Sequence, residues 1–440
     1  MKCLKGVSWR NMKNLFQENL SLLMTNNILS RLDWLSLIIY FLLIIFGIIN
    51  IYSTTLSEVT VSLFELNSPA GKQFWIFIFS LFFLPIILFI NSNFFDHLSL
   101  IFYILSILFL LGLFVFGQKI SGATSWYLVG NFSLQPSEFA KITTALLVAS
   151  NLSSIQFDIK KMPSISKIFL IIGIPTVLVI FQPDPGSALV FSSLFFVLLR
   201  EGMDMKTLYF GIGLISIFIL TLIFDPLILT IAFFIIMIMI YRIILNYYPK
   251  TKKSPFIIVL GISILFSFSV DFIFNSVFEQ RHRDRFNVIL GLENDTQGIG
   301  YNINQSKIAI GSGGFSGKGF LNGTQTKGGF VPEQHTDYIF STVGEEWGFL
   351  GSSGLIILFT ILILRIIYRA EKHMLPFPRV FSYCFASMLF IHFFINIGMT
   401  LGLVPTVGIP LPFISYGGTN LMAFSLMLFI YLNLDANRLH

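Results

Sequence analysis

Long apolar segments separated by short polar turns run through the chain from residue 35 onward. About 20 consecutive apolar residues are enough for a helix to cross the hydrocarbon core of a membrane. The pattern therefore predicts an all-α, polytopic membrane protein with about twelve transmembrane helices. The predicted helices cover residues 35–53, 74–91, 99–117, 138–154, 168–183, 187–200, 207–224, 228–246, 255–275, 338–368, 380–404 and 413–434.

Two polar regions stand apart from this pattern. Residues 1–33 are basic and lack a compact apolar core followed by a small-residue cleavage site, so we interpret them as a cytoplasmic extension rather than a signal peptide. Residues 276–337 form a long polar stretch between two apolar blocks. We therefore predict a single membrane domain over residues 34–440, with residues 276–337 as its large loop.

The composition excludes an ordinary soluble domain. Charged residues make up only 11% of the chain, which is about half the fraction usual in soluble domains. The net charge of +6 comes from basic residues scattered singly between apolar runs, which argues against binding of nucleic acid. Cys3 and Cys384 provide neither a disulfide framework nor the spacing of metal ligands.

Lys and Arg residues are distributed unevenly between alternate loops. If the N-terminus is cytoplasmic, the short loops on the opposite side contain only Lys72 and Lys119. This asymmetry is what the positive-inside rule predicts. The large loop would then face the extracytoplasmic side.

The large loop ends in the sequence VPEQHTD, residues 331–337. A carboxylate located where a polar loop enters an apolar helix is partly desolvated, which raises its pKa towards the value that a general base needs. Asp337 occupies such a position. The alternative is that Asp337 is a helix N-cap in a solvated loop, since Asp is a preferred capping residue. Spacing alone does not separate the two hypotheses.

Other polar residues lie at the edges of predicted helices. Glu138 and Lys141 are three residues apart on one helical face, either as a functional pair or as a structural ion pair between helices. Trp126 lies in the preceding outward loop and is either functional or an interfacial aromatic. Asp184, in a proline-rich turn, is either functional or a helix cap.

The large loop and the last apolar region contain three further signals. Arg283 and Arg285 follow a predicted helix, and arginine is suited to bidentate contact with phosphate oxygens. Residues 311–319 (GSGGFSGKG) do not form a Walker A motif and are either a backbone nest for pyrophosphate or a flexible loop. Residues 408–420 (GIPLPFISYGGTN) break the last apolar region, which implies a cavity near the outer leaflet.

Five motifs, in this order, resemble the SEDS family of bacterial cell-wall polymerases, which comprises FtsW, RodA and SpoVE. They are QPSEFAK (135–141), QPD (182–184), PEQHTD (332–337), GEEWG (344–348) and PFISYGG (412–418). The resemblance extends from the first apolar helix to the last. Residues 317–326 are similar to the form of this loop in RodA, the elongation branch, and the division paralogue FtsW is the alternative.

The resemblance implies a peptidoglycan glycosyltransferase that polymerises lipid II into β-1,4 glycan strands at the outer face of the cytoplasmic membrane, with inversion. Asp337 matches the essential aspartate of the family and would act as the general base. A divalent cation, Mg²⁺ or Mn²⁺, is also implied, although the sequence does not identify its ligands. The positions to which substrate-binding roles are carried over are Trp126, Glu138, Lys141, Arg283, Arg285, Glu333, His335, Thr336 and Ser415.

Family membership also implies partners. These are a class B penicillin-binding protein and, for the elongation branch, MreB, MreC and MreD. The family usually has ten spanning helices, so we interpret the two predicted over residues 207–246 as an inserted pair. Two other classes of function stay open. A lipid II flippase is disfavoured because no inverted repeat is visible, and a non-catalytic scaffold would not need Asp337.

Overall fold

The computed structural model describes residues 28–55, 65, 68–120, 122–130, 132–250, 252–277, 280–290 and 299–437. Most of the predicted N-terminal extension, including Cys3, and parts of the large loop lie outside the described residues. The described chain is almost entirely helical, which confirms the predicted all-α class.

Ten of the described helices are long and apolar enough to cross a membrane. They are α2 (Trp34–Thr55), α3 (Pro69–Phe89), α5 (Ser99–Phe116), α7 (Met162–Phe181), α10 (Met205–Ile223), α11 (Pro226–Tyr247), α12 (Ser254–Phe272, continued by a π-helical turn at Ile273–Val277), α16 (Ile339–Ala370), α17 (Pro376–Thr400) and α18 (Gly418–Ala436). The other helices are α1 (Ile28–Arg31), α4 (Ser92–His97), α6 (Pro136–Ser153), α8 (Pro185–Phe191), α9 (Leu194–Arg200), α13 (Gln280–Ile289), α14 (Ile299–Ser312) and α15 (Thr324–Lys327).

All twelve apolar segments predicted from the sequence are helical, but two of them differ from the other ten. The segment predicted at 138–154 is α6, which contains Glu138 and Lys141 and is less hydrophobic than the ten spans. The segment predicted at 187–200 is divided into α8 and α9 by a turn at Ser192 and Ser193. The prediction of twelve helical segments is therefore correct, and ten of the twelve have the length and hydropathy of a membrane span.

The spanning helices form a buried centre and an exposed rim. In α18, 89% of the residues in the apolar window are buried, compared with 6% in α10 and in α11. Helix α18 packs on α3, and α17 packs on α6 and α16, whereas α10 and α11 pack mainly on α12. The interpretation of α10 and α11 as an inserted pair remains a prediction that agrees with their position at the rim.

The segment between α17 and α18 returns into the bundle without helical structure. Leu411, Phe413 and Ile414 are at most 1% exposed, and the ring of Phe413 meets Tyr40 of α2 edge-on, with centroids 5.2 Å apart. A Cβ atom at Gly47 would lie 2.7 Å from the Cα of Ile414, so α2 requires glycine where this segment crosses it. Protein contacts thus bury the broken backbone that the sequence predicted.

A small antiparallel sheet between α5 and α6 was not predicted. Its strands are β1 (Gln118–Ile120), β2 (Ala123–Val129) and β3 (Phe132–Leu134), in the order β1-β2-β3. Trp126 pairs with Gln118 of β1. The neighbouring Tyr127 hydroxyl donates a hydrogen bond to the Phe109 carbonyl of α5 at 2.9 Å. The sheet therefore fixes Trp126 on a rigid support instead of a free loop.

Helix α16 is broken at Gly348, where φ is 63°. The glycine-rich stretch of the large loop fills the break. The backbone N–H groups of Lys318 and Gly319 donate to the carbonyl oxygens of Glu345 and Glu346 at 3.0 and 2.9 Å. These two N–H groups already have protein partners, so they do not support a pyrophosphate nest, and the nest stays a prediction.

The GEEWG motif attaches the large loop to α16. The carboxylate of Glu345 accepts hydrogen bonds from the backbone N–H groups of Thr324, Gln325 and Thr326, at 2.7 to 2.9 Å. It also pairs with the Lys318 ammonium at 2.8 Å. This motif is therefore a structural clamp that supports the residues leading to Asp337.

Ion pairs gather at the end of the bundle opposite Asp337. The pairs are Asp33 with Arg365, Asp435 with Arg369, Glu371 with Arg200, and Glu201 with Arg379. Burial alone would raise the pKa of Asp33, but its hydrogen bonds to Arg365 and Ser36 hold that pKa below its ordinary value.

Candidate active site

Asp337 lies two residues before the start of α16 and lines a cavity of about 480 Å³. Trp126 of β2, Asp184 at the start of α8 and Arg285 of α13 line the same cavity. The residue before the helix, Tyr338, is the N-cap of α16, and its side chain makes no capping hydrogen bond. The alternative that Asp337 is the helix N-cap is therefore wrong.

Helix α17 contacts the main chain at Asp337 through Asn396. The Asn396 side-chain amide donates to the Asp337 carbonyl oxygen at 2.9 Å and to the Ile409 carbonyl oxygen at 2.8 Å. Gly408, at φ 74°, lies beside the carboxylate, since a Cβ atom there would be 3.4 Å from Asp337 Oδ2. Residues 408–410 therefore form the wall of the cavity next to Asp337.

Burial raises the pKa of Asp337 to about 7. The carboxylates of Glu333 and Asp184 raise this pKa as well, and the Arg285 guanidinium lowers it. A carboxyl group with a pKa near the ambient pH is a suitable general base, because a useful fraction is ionised and the ionised form is still basic. Among the described residues, no side chain donates a hydrogen bond to this carboxylate.

A buried polar network forms the floor of the cavity. Lys141 Nζ is 2.7 Å from Glu138 Oε1, and the two side chains are 1% and 3% exposed. The Asn420 amide of α18 donates to Glu138 Oε2 at 3.1 Å. Lys141 Nζ also lies 3.0 Å from Nε2 of His392 on α17. The pair predicted from the sequence therefore exists and joins α6 to two other helices.

Asp184 combines a structural role with its position in the cavity. Its Oδ1 accepts the Ser187 backbone N–H at 3.0 Å and so caps α8. Its Oδ2 accepts the Gln135 side-chain amide at 2.8 Å. The capping role considered from the sequence is confirmed, and the two hydrogen bonds join the QPD motif to the QPSEFAK motif.

Ser415 braces the loop behind the cavity. Its hydroxyl donates to the Thr336 carbonyl oxygen at 2.6 Å and accepts the Leu411 backbone N–H at 2.8 Å. The backbone N–H of Tyr416 donates to the His335 carbonyl oxygen at 2.8 Å. The PFISYGG motif therefore holds the PEQHTD motif in place through backbone contacts.

The structure separates the residues carried over from the family into two groups. Those that line the cavity are Trp126, Glu138, Arg285, Glu333, Thr336 and Asp337. Those that do not line it are Lys141, Arg283, His335 and Ser415. Arg283 donates to the Asn275 carbonyl oxygen at 3.1 Å, so its expected contact with substrate is not supported by its position.

Sequence reasoning missed His392, Asn396 and Asn420. All three lie in apolar helices, and each bonds to a segment far away in the chain. His392 and Asn396 are four residues apart on one face of α17, and this spacing of polar residues in a membrane helix was the available signal.

Within the described part of the chain, no group of three or more His, Cys, Asp or Glu side chains could hold a metal ion. Both oxygens of Asp184 already accept hydrogen bonds from Gln135 and Ser187. The side chains present do not fit a site made by protein alone, so the expected Mg²⁺ or Mn²⁺ stays a prediction.

Comparison with known proteins gives the relationship of this chain to others. The family model described as "Cell cycle protein", FTSW_RODA_SPOVE, matches residues 33–243 and 229–440. The chain is 34% identical to peptidoglycan glycosyltransferase MrdB of Escherichia coli (strain K12) over 76% of this chain and 77% of MrdB. It is 30% identical to peptidoglycan glycosyltransferase RodA of Treponema pallidum (strain Nichols) over 93% and 99% of the two chains.

A solved structure has the same fold. It is a chain of a peptidoglycan synthase complex that coordinates polymerization and crosslinking, with a TM-score of 0.66 and 23% identity over 92% of this chain and 99% of that one. Together with the ten spanning helices and the five ordered motifs, these matches show that the chain is a multi-pass membrane protein that belongs to the FtsW/RodA/SpoVE family.

Proposed function

We propose that this protein is a peptidoglycan glycosyltransferase that polymerises lipid II into β-1,4 glycan strands during cell elongation. The observation that carries the proposal is Asp337, a carboxylate with a pKa of about 7 that lines a cavity at one end of the bundle. The relatives named MrdB and RodA support the activity and the elongation branch.

In the proposed reaction, Asp337 accepts the proton of the GlcNAc 4-hydroxyl of the acceptor lipid II. The hydroxyl oxygen forms a bond to the anomeric carbon of the growing chain, while the bond from that carbon to undecaprenyl pyrophosphate breaks. One displacement inverts an α-linked donor to a β-linked product, so one base suffices and no carboxylate nucleophile is needed. The site agrees with this mechanism, because the carboxylate of Asp184 already accepts a hydrogen bond from Ser187 and that of Glu138 is already paired with Lys141.

Arg285 is the residue that we assign to the leaving pyrophosphate. It lines the cavity and its guanidinium acts electrostatically on Asp337. A fixed guanidinium offsets negative charge that develops on the leaving group. A bound Mg²⁺ or Mn²⁺ would offset more of that charge, and Mg²⁺ commonly binds to one or two carboxylates together with substrate phosphates.

Hydroxyl groups on the cavity wall suit a sugar substrate. Ser125, Tyr338 and Thr406 line the cavity, and their side-chain oxygens have no hydrogen-bond partner among the described residues. Buried hydroxyls without a partner are costly, so a ligand rich in hydroxyl groups would stabilise them. Trp126 supplies an aromatic surface on the same wall.

The proposal includes a location and partners. The protein would lie in the bacterial cytoplasmic membrane with the cavity on the extracytoplasmic side, as the distribution of Lys and Arg predicts. It would act with a class B penicillin-binding protein that crosslinks the product, and with MreB, MreC and MreD. The synthase complex with a similar fold supports the first of these partners.

The experiment is polymerisation of lipid II by purified protein with its penicillin-binding partner. Wild type should produce glycan strands, and Asp337→Asn and Asp337→Ala should produce none. Asp271→Asn is the matched control, because Asp271 lies at the end of α12 and does not line the cavity. Product from the Asp337 variants would remove the proposed base, and no product from wild type would favour a flippase or a scaffold.

A further inference from the structure

Helix α17 contacts the backbone around Asp337 through two polar side chains one turn apart. His392 Nδ1 is 3.0 Å from the Pro410 carbonyl oxygen. Asn396 donates to the carbonyl oxygens of Asp337 and Ile409. His392 is 1% exposed and lines the cavity. None of the five motifs contains His392 or Asn396.

The contacts of His392 define its hydrogen positions. A carbonyl oxygen can only accept, so Nδ1 must carry the hydrogen that is donated to Pro410. The Lys141 ammonium can only donate, so Nε2, 3.0 Å away, must accept. The ring is therefore neutral with its hydrogen on Nδ1, and both of its nitrogens are occupied.

This ring connects the floor of the cavity to the wall beside Asp337. On one side it receives Lys141, which is fixed by Glu138 at 2.7 Å. On the other side it holds Pro410, two residues after Gly408, which lies against the Asp337 carboxylate. The imidazole thus contacts both the Glu138–Lys141 ion pair and the wall formed by residues 408–410.

We propose that His392 is a positioning residue for glycosyl transfer. It fixes residues 408–410 relative to the Glu138–Lys141 pair, so that this wall stays against Asp337 and excludes water from one side of the carboxylate. The inference rests on the proposed function, in which Asp337 is the base. Under this proposal, His392 increases the rate of the chemical step and does not affect the binding of substrate.

Two substitutions separate the two hydrogen bonds of the ring. His392→Asn places an amide N–H near the position of Nδ1 and keeps the donor to Pro410, but loses the acceptor for Lys141. His392→Gln places an amide oxygen near the position of Nε2 and keeps that acceptor, but loses the donor to Pro410. Each variant is thus the control for the other.

The test is steady-state polymerisation of lipid II by the full chain with its partner, measured across pH. We expect His392→Gln to lower kcat by about tenfold with KM unchanged, because an interaction that acts only on the transition state is lost. We expect His392→Asn to lower kcat by no more than about threefold. In His392→Gln the acid limb of kcat/KM should also move to lower pH, since water would reach Asp337.

The pH readout distinguishes positioning from stability alone. The titratable groups that act on Asp337 are Glu333, Arg285 and Asp184, and Asp337 in turn acts on the neighbouring Tyr338. Both variants retain these groups. A shift of the acid limb of kcat/KM would therefore report a change in the position of the wall, residues 408–410. Equal losses in both variants, with a lower Tm and no pH shift, would overturn the proposal. A folded but inactive His392→Asn protein would overturn it as well, so the test does not depend on the folding of the other variant.

Asp337→Asn, assayed in parallel, separates this inference from the function on which it rests. If Asp337→Asn is active, the proposed function fails. If Asp337→Asn is inactive and His392→Gln behaves like wild type, only the role of His392 fails.

Discussion

At the scale of single residues, three carboxylates of one cavity have different environments. Glu138 is neutralised by Lys141 and accepts from Asn420. Asp184 caps α8 and accepts from Gln135. Asp337 receives no hydrogen bond on its carboxylate from the described residues, and burial raises its pKa. The arrangement at Asp337 raises the proton affinity of the carboxylate and leaves its oxygens available to a substrate.

The pH dependence of polymerisation should report Asp337. Below a pKa of about 7 the carboxyl group is protonated and cannot act as a base, so kcat/KM should rise with pH and level off above about 7. Initial rates from about pH 5 to 9 in the presence of the partner would give this profile. An acid limb near the ordinary pKa of aspartic acid would contradict the desolvation described here.

The same pKa predicts an effect of Asp337 on stability. Because the folded-state pKa is raised above the ordinary value of 3.8, the folded protein favours the protonated carboxyl, and stability is lost as pH rises from that value through about 7. Asp337→Asn removes a charge that the fold disfavours. Its Tm should exceed that of wild type by an amount that grows with pH over this range and is constant above it.

Asp184→Ala is the comparison for that measurement. It removes the cap of α8 and should lower Tm by the equivalent of about 1 kcal/mol. A lower Tm for Asp337→Asn at high pH would show that Asp337 contributes structurally.

At the scale of elements, the break in α16 at Gly348 depends on glycine. Its φ of 63° is unfavourable for other residues, and a Cβ atom would lie 2.2 Å from the backbone nitrogen of Gly317. Gly348→Ala should therefore displace the large loop and reduce both Tm and polymerisation. Gly354→Ala is the matched control, because a Cβ atom there meets nothing within 4 Å. Equal effects of the two substitutions would refute the role of the break.

The elements differ in how well the sequence predicts them. The apolar helices were predicted because burial in lipid or protein requires a long run of apolar residues, and such a run is visible in one segment. The strands of the sheet around Trp126 are three to seven residues long, too short to give a clear periodicity. Their pairing depends on partners outside each strand.

The site was predicted in part, for the same reason. Asp337, Glu138 and Lys141 are recognisable as ionisable residues at the edges of apolar segments. The roles of His392 and Asn420 depend on partners 251 and 282 residues away in the chain. A polar side chain in an apolar helix signals a partner, but the sequence of that helix does not identify it.

At the scale of the whole molecule, the rim helices α10 and α11 are separate from the site. Neither lines the cavity, and their main contacts are with α12, including a hydrogen bond between the hydroxyls of Thr221 and Ser267 at 3.0 Å. Deletion of residues 205–247 should therefore leave polymerisation within about threefold of wild type, since sites without shared contacts are largely independent. Polymerisation of lipid II by the deleted protein is the measurement.

One contact limits that independence. Phe218 of α10 meets Phe286 of α13, with ring centroids 5.7 Å apart, and Phe286 follows Arg285. Phe218→Ala in the full chain controls for this contact. A complete loss of activity in the deletion, with normal activity in Phe218→Ala, would contradict a peripheral role for the pair.

The ion pairs at the opposite end have a consequence for biogenesis. Asp33 precedes the first described span and Asp435 lies in the last one, and both carboxylates are within 4.0 Å of Arg369 in α16. During synthesis, α16 leaves the ribosome before Asp435 is made, so Arg369 lacks its closest partner until the final helix inserts. Until then Asp33, 4.0 Å away, is the remaining carboxylate beside Arg369, and a charge that has lost its closest partner is less stable in a buried position. A chain that ends before α18 would lack the ion pair that joins α16 to the last helix, so we expect such a chain to be less stably assembled than the full one.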